Sequence, residues 1–489
     1  MVDNTFIEIT KENFKEFSFY SDFLKKCNRQ EFLKSQIPFY SAVKSFPRVL
    51  CYLASLIHNG EDRFKIIENI WEEHGQGEVT HFHTYTFNQF LIAITRKNYE
   101  FFSNPKVESW ISGWFDKNNV YDVAINLAAI EYLYALISSE ILEYCKNNKI
   151  VQKHYMKHSV IDWDHGKDLL DLALKYTNKN HEDVIDDFTS MQREFINVYK
   201  SMVVITEKDI QRIAKEPISF YYLREDSNIT TSMVNMMDNI VVIGSGGESV
   251  MNIIHSNKHT DILVVDMNPN QLQLIKDKLD NNPNKNFNTG KFEEIFKLLR
   301  NRFSKIDLCN RFYEDELRYA LDDIFTNDNL SKIFGEDAVK YTEKSFSDHF
   351  YKVFTTLYLQ EYDQKNFMDI FCGCGFSFPF YKLPENNNFN NISYMEAKII
   401  DDSLIDDIKK KYKNQNISVF DLSNIGDWIP KENLINILKK IYDTNRHTNV
   451  IIRKLLGDYC LKTIMEEIGF LVSLDEDVFY EETIIGIKK

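Results

Sequence analysis

The hydrophobic period of this 489-residue chain changes once, and the change prescribes two kinds of fold in one sequence. Over residues 14–215 apolar side chains recur at three- and four-residue spacing, as in 87–94 and 168–174, with few glycines or prolines. That is the pattern of helices with one buried face. Near Asn239 it gives way to a short β-branched run, Ile240-Val-Val-Ile, that ends in glycines; a helical stretch and a second run, Asp261-Ile-Leu-Val-Val-Asp266, follow. This reads as a βαβ unit. Further strands are expected at 367–371, 417–420, 449–453 and 482–487, separated by helical segments such as 431–442, which predicts a doubly wound sheet. Glu216-Pro217 ends the last helix of the first half. The expected domains are therefore an all-α domain over 1–216 and an α/β domain over 217–489.

The length suits two cores, and 44% hydrophobic with 27% charged residues is the composition of folded protein. A net charge of -15 argues against a phosphate-binding surface, so no nucleic-acid partner is expected. The N-terminus carries no basic segment leading into an apolar one, and the most apolar window, 123–142, is interrupted by Asn126, Glu131 and Glu140. Neither a signal peptide nor a membrane span is read there. No basic amphipathic helix suggests docking on a bilayer. Seven scattered cysteines point to a reducing cytoplasm, with Cys372 and Cys374 read as structural thiols rather than metal ligands.

The sharpest local feature is His158-Ser-Val-Ile-Asp162-Trp-Asp-His165, whose offsets of four and seven put two imidazoles and a carboxylate on one helical face. Mixed nitrogen and oxygen donors suit iron or manganese. Upstream, Glu73 closes one helix, a glycine turn follows, and His83 enters the next. Glu131 lies alone in a very apolar helix, where a buried carboxylate needs a cation or a proton. His74, His81 and His154 crowd the same segments but read as ordinary core or surface residues, and Glu72 and Asp164 as solvated neighbours.

At these residues, over roughly 10–210, the sequence resembles the haem-oxygenase-like di-iron oxidases, whose pattern is a glutamate and a histidine, a mid-domain glutamate, then His-x3-Asp-x2-His. The resemblance implies a helical bundle holding two ferrous ions through Glu73, His83, Glu131, His158, Asp162 and His165, with Glu140 the alternative to Glu131. It also implies dioxygen as cosubstrate, used for N-oxygenation, desaturation or carbon–carbon cleavage.

In the second half, Gly244-Ser-Gly246-Gly247 follows the first strand, and Asp266 ends the second, where an acidic group accepts from ribose hydroxyls. The missing third glycine of a G-x-G-x-x-G run turns the choice from NAD to S-adenosylmethionine. Val265-Asp266-Met-Asn268-Pro-Asn-Gln271 resembles the signature of the 3-amino-3-carboxypropyl transferases, which include betaine-lipid synthases, and Asn424, Asp427 and Arg453 resemble later elements of that family. This resemblance, over about 218–489, implies a Rossmann-like fold of the class I methyltransferase type. It implies cofactor contacts at Gly244, Gly246, Asp266 and Asn268, and Asn424 and Asp427 at the reacting end. Arg453 is either a fork for a carboxylate or a surface residue.

Together these features lead to the expectation of a bifunctional cytoplasmic enzyme acting on a small amino-acid-like metabolite. Methyl transfer and a catalytically silent metal scaffold are the alternatives, and a homodimer is left open.

Overall fold

The computed structural model describes residues 2–235, 239–256, 260–282, 285–302, 314–342, 344–359, 391–398, 403–413, 415–475 and 479–488. The chain divides into two compact units, one of Met1–Lys208 with Asn301–Ala320, the other of Asp209–Arg300 with Leu321–Lys489. The strand expected at 367–371 and the Cys372/Cys374 pair lie outside the described residues.

The first unit is helical, as its period requires: α1 (Val2–Phe14), α2 (Ser18–Lys26), α3 (Arg29–Gln36), α4 (Tyr40–Leu56), α5 (Gly60–Glu73), α6 (His83–Thr95), α7 (Pro105–Phe115), α8 (Val120–Asn147), α9 (His154–Lys175) and α10 (His181–Met202). Asparagine side chains open five of them. Asn28, Asn59, Asn104, Asn119 and Asn180 each accept from a backbone N–H of the first turn and so satisfy donors that a helix start leaves orphaned. Helix α8 is the axis of the unit, with every residue from Val123 to Ala135 buried. It is long and apolar enough to cross a bilayer, but it is enclosed by the bundle. Buried Gln192 of α10 ties three helices together, donating to Thr10 Oγ1 (2.8 Å) and Ala129 O (3.2 Å) and accepting from Asn13 (2.9 Å).

Helices α8 and α9 lie against each other because Gly166 carries no side chain. A Cβ there would stand 2.8 Å from the Tyr132 ring. The neighbours of this contact in sequence, Glu131 and His165, are both expected metal ligands.

The second unit is built on a mixed seven-stranded sheet in the order β3-β2-β1-β4-β5-β7-β6. Its strands are β1 (Asn239–Ile243), β2 (Asp261–Asp266), β3 (Ile392–Glu396), β4 (Val419–Asp421), β5 (Thr448–Lys454), β6 (Leu471–Asp475) and β7 (Glu482–Lys488). The first five run parallel, and β7 is antiparallel to both β5 and β6. Alternate residues feed two cores. Ile240, Val242, Ile262 and Val264 meet the helices Glu248–Ser256 and Pro269–Leu279, while Val241, Leu263, Val265 and Phe420 meet Leu404–Lys411, Lys431–Thr444 and Leu461–Ile468. A sheet covered on both faces explains the near-continuous apolar runs of β1 and β2. The chain winds one way from β1 to β3 and the other way through β4 and β5, so the order reverses between β1 and β4.

Candidate functional site

Three elements of the helical unit converge on one buried cluster. Glu73 ends α5, and the chain then turns through Gly75, whose φ of +58° and whose missing Cβ, 2.6 Å from the His81 carbonyl carbon, admit no larger residue without strain. The turn returns the chain so that His83 opens α6 with its Nδ1 2.7 Å from Glu73 Oε1. Helix α8 contributes Glu131, and α9 contributes His158, Asp162 and His165. One oxygen or nitrogen from each of Glu131, Asp162 and His165 lies within 4.8 Å of the others. The His83 and His158 rings are 4.5 Å apart between centroids. All six expected ligands are thus brought together. Glu140, nine residues beyond Glu131, is half-buried and outside the cluster.

The hydrogen bonding is one-sided. His158 Nδ1 is bonded to Asp162 Oδ1 (2.8 Å) and His165 Nε2 to Glu72 Oε2 (3.0 Å), while His158 Nε2, His165 Nδ1 and Asp162 Oδ2 are buried with no hydrogen-bond partner. His83 Nδ1 has a close ion-pair approach to Glu73 (2.7 Å) but no hydrogen-bond partner, and its Nε2 accepts from Lys157 Nζ (3.0 Å). Four buried donor atoms left this way are what a cation would satisfy. Glu72 is therefore corrected from a solvated neighbour to the group that orients His165. Asp164 and His81 are exposed, and His74 bonds to Ile70 O (2.7 Å). His154 is held by Tyr134 Oη (3.1 Å) and Thr86 Oγ1 (3.4 Å).

The charges fit a cation as well. Burial pushes Glu131 and Asp162 well above the carboxylate range, reinforced by Asp162 and Glu73 at Glu131 and by Glu73 at Asp162. Burial also raises Glu73, but His83, His158 and His165 outweigh it and bring it down to about 2. Burial lowers His83 and His165, and His158 to about 4, so the imidazoles are neutral and available as ligands at physiological pH. Beside the cluster lies a cavity of ≈ 40 Å³, roughly three times the 10–15 Å³ one water needs. Its far wall is Phe39, Phe46, Trp110, Trp114, Ile130 and Tyr134.

In the α/β unit the expected contacts divide. Asp266 ends β2 as anticipated; its Oδ1 accepts from Asn268 N (2.8 Å) and its Oδ2 from Ser245 N (3.3 Å), and burial raises it to about 6. Gly244 and Gly246 do form a tight loop, but their own chain crowds it. A Cβ at Gly244 would lie 2.9 Å from Asp266 Oδ2, and one at Gly246 2.2 Å from Leu223 N. Asn268 caps the helix Pro269–Leu279 and donates to Pro217 O (2.9 Å).

Asp427 accepts from Leu455 N (2.8 Å), Leu456 N (3.0 Å), Gly457 N (2.9 Å) and Asn424 Nδ2 (3.2 Å), which fills its lone pairs and fixes the turn after β5. Arg453 overturns both readings given to it. It is fully buried and ion-paired with Glu225 (2.7 Å) and Asp421 (2.9 Å) of its own chain.

A cavity of ≈ 50 Å³ opens past the carboxyl ends of β1, β4 and β5, where Ser245, Asn424, Asp427 and Leu455 meet an aromatic wall that includes Tyr222, Phe292, Trp428 and Tyr480. Arg224, unremarked in the sequence, lines it too. Open α/β sheets bind ligands at such a reversal of strand order.

Comparison with known families agrees with the helical unit. Residues 35–199 match the family of iron-containing redox enzymes, a stretch that contains all six clustered residues. No curated protein matches the chain. The N-terminal region therefore carries a haem-oxygenase-like, iron-containing redox domain with oxidoreductase character.

Proposed function

We propose that the helical unit is a dioxygen-dependent oxidase holding two iron ions through Glu73, His83, Glu131, His158, Asp162 and His165. The observation that carries this reading is the set of four buried donor atoms without hydrogen-bond partners, three on imidazoles whose opposite nitrogens are already held and one on Asp162, whose other oxygen is held by His158. When bound, ferrous iron supplies the electrons for dioxygen chemistry. The chain's own part is orientation and dryness. Asp162 and Glu72 aim His158 and His165, and the Phe39, Phe46, Trp110 and Trp114 wall keeps bulk water out and receives an apolar portion of the substrate. Were His83 to hold a cation through Nδ1, its ring proton would have to sit on Nε2, which could then no longer accept from Lys157.

The α/β unit is proposed to bind S-adenosylmethionine at the β1/β4 reversal, with Asp266 on the ribose, and to pass its 3-amino-3-carboxypropyl group to a nucleophile on a small amino-acid-like acceptor. The support is the strand order, the acid at the end of β2 and the aromatic cavity beside Ser245. Attack on the chain carbon next to sulfur breaks that carbon–sulfur bond, and methylthioadenosine leaves with the bond's electron pair. Two active domains on one chain suit consecutive steps on one metabolite in a cytoplasmic enzyme.

The test is anaerobic ferrous loading followed by iron analysis and oxygen uptake, then mass spectrometry of products from S-adenosylmethionine, oxygen and a cell extract. The expected result is about two irons per chain and a mass gain of the four-carbon amino acid unit. Less than one bound iron would remove the oxidase reading, and a gain of one methyl would replace the transfer proposed.

A further inference from the structure

Among the described residues lining the cavity of the α/β unit, one side chain carries a positive charge. We propose that this residue, Arg224, binds the carboxylate of the methionine tail of S-adenosylmethionine, an assignment that rests on the cofactor reading above. The family resemblance offered Arg453 as one candidate for such a role, but Arg453 sits between Glu225 and Asp421 and is not among the described residues of the cavity wall. Arg224 has the placement that Arg453 lacks.

It follows the stretch that crosses the glycine loop, where Leu223 N donates to Glu248 Oε2 (2.9 Å) and Lys278 Nζ donates to both Tyr221 O and Gly246 O. The backbone leading to Arg224 is therefore anchored to the same loop that ends β1. The guanidinium is itself held. Nη2 donates to Glu293 Oε1 (3.2 Å), and Glu293 is fixed by Tyr221 N (2.9 Å) and Tyr222 N (3.2 Å). Its Cζ stands 5.5 Å from the centre of the Phe292 ring. A planar guanidinium so fixed presents the geometry that binds a carboxylate through paired N–H donors.

The rest of the wall suits the remainder of that tail. Trp428 and Tyr480 are aromatic rings of the kind that stabilises a sulfonium cation, and Asp427, the acid among the described lining residues, has its oxygens occupied by backbone donors. The carboxylate end is thereby directed to Arg224 and the cationic sulfur to the rings.

Isothermal titration of the full chain with S-adenosylmethionine and with 5′-methylthioadenosine, which lacks the amino-acid tail, separates tail recognition from nucleoside recognition. Arg224→Gln is expected to weaken S-adenosylmethionine about 10- to 100-fold and methylthioadenosine less than about twofold. Arg224→Lys, which keeps the charge and guards against misfolding, should lose an intermediate amount on the first ligand alone. Unchanged affinity for S-adenosylmethionine, or equal losses on both ligands in both variants, overturns the Arg224 assignment while leaving the cofactor reading standing. A wild-type chain that binds neither ligand overturns both.

Discussion

His158 and His165 each give one nitrogen to a protein carboxylate and leave the other without a hydrogen bond, whereas Asp427 of the α/β unit gives its bonding capacity to its own chain and Arg453 is ion-paired within it. Both sets drew attention for the same reason, a polar residue at a position a motif prescribes. They differ in what is left over once the protein has been satisfied. Residual valence marks a place built for something else, and spent valence marks scaffold. Asp266 stands between the two, with two backbone donors on a carboxylate that can accept more.

The sharpest way to break this comparison is at Arg453. If it is scaffold, Arg453→Gln leaves Glu225 and Asp421 buried without their cation and should cost about 3–5 kcal/mol of stability, read by denaturant unfolding, with iron loading intact. A stable variant that merely loses ligand would return Arg453 to the site. Next comes the cluster: His158→Ala and Asp162→Ala should each lower iron affinity by roughly tenfold or more, with undiminished iron in both refuting the ligand set. The pair Glu131→Ala and Glu140→Ala sharpens it. Nine residues are about 900° of helix, so the two side chains occupy opposite sectors, and only the first variant should lose metal.

Asp266→Ala should weaken S-adenosylmethionine by about 10- to 150-fold in calorimetry without altering iron content. The smallest effect is its pH dependence. The folded carboxyl, raised to about 6 by burial, lies above its ordinary value, so this group's contribution to stability is lost as pH rises through 6. Binding has the opposite sign, because the ribose hydroxyls need the anion. Affinity should therefore rise about tenfold between pH 5 and pH 7 and flatten above; a flat profile removes Asp266 as the acceptor.

The helical half was the more legible because its signals are periodic. Spacings of three, four and seven turn directly into a shared face, so His158, Asp162 and His165 were legible together before any fold was known, while joining Glu73, His83 and Glu131 to them took the family resemblance. In the other half β1, β2, β5 and β7 announced themselves as β-branched runs, but β3 and β6 did not. Both lie at sheet edges, where Ile392–Glu396 is only half-buried and Leu471–Asp475 mostly exposed, and an edge imposes little hydrophobic pattern. Asn268, Asp427 and Arg453 could not be sorted by type, since capping, turn-holding and ion-pairing use the side chains that ligand binding uses. Arg224 carried no signal of its own. Its importance comes from the cavity it lines, which only the fold creates.

Gly166 gave a signal in the form of a glycine inside a strongly helical stretch, directly after His165. What it controls is the spacing of the two helices beside Glu131 and His165. Glu131 and His165 approach to 3.9 Å across the contact between Gly166 and Tyr132, so any widening of that contact passes at once into the span between them. Zinc-sized ions take ligands at about 2.0–2.2 Å and calcium-sized ones at about 2.3–2.6 Å. A few tenths of an ångström is the whole difference between those classes, and one added methyl at 166 demands a shift of that order. The spacing between two residues of the cluster is thus set by a residue with no side chain to offer it.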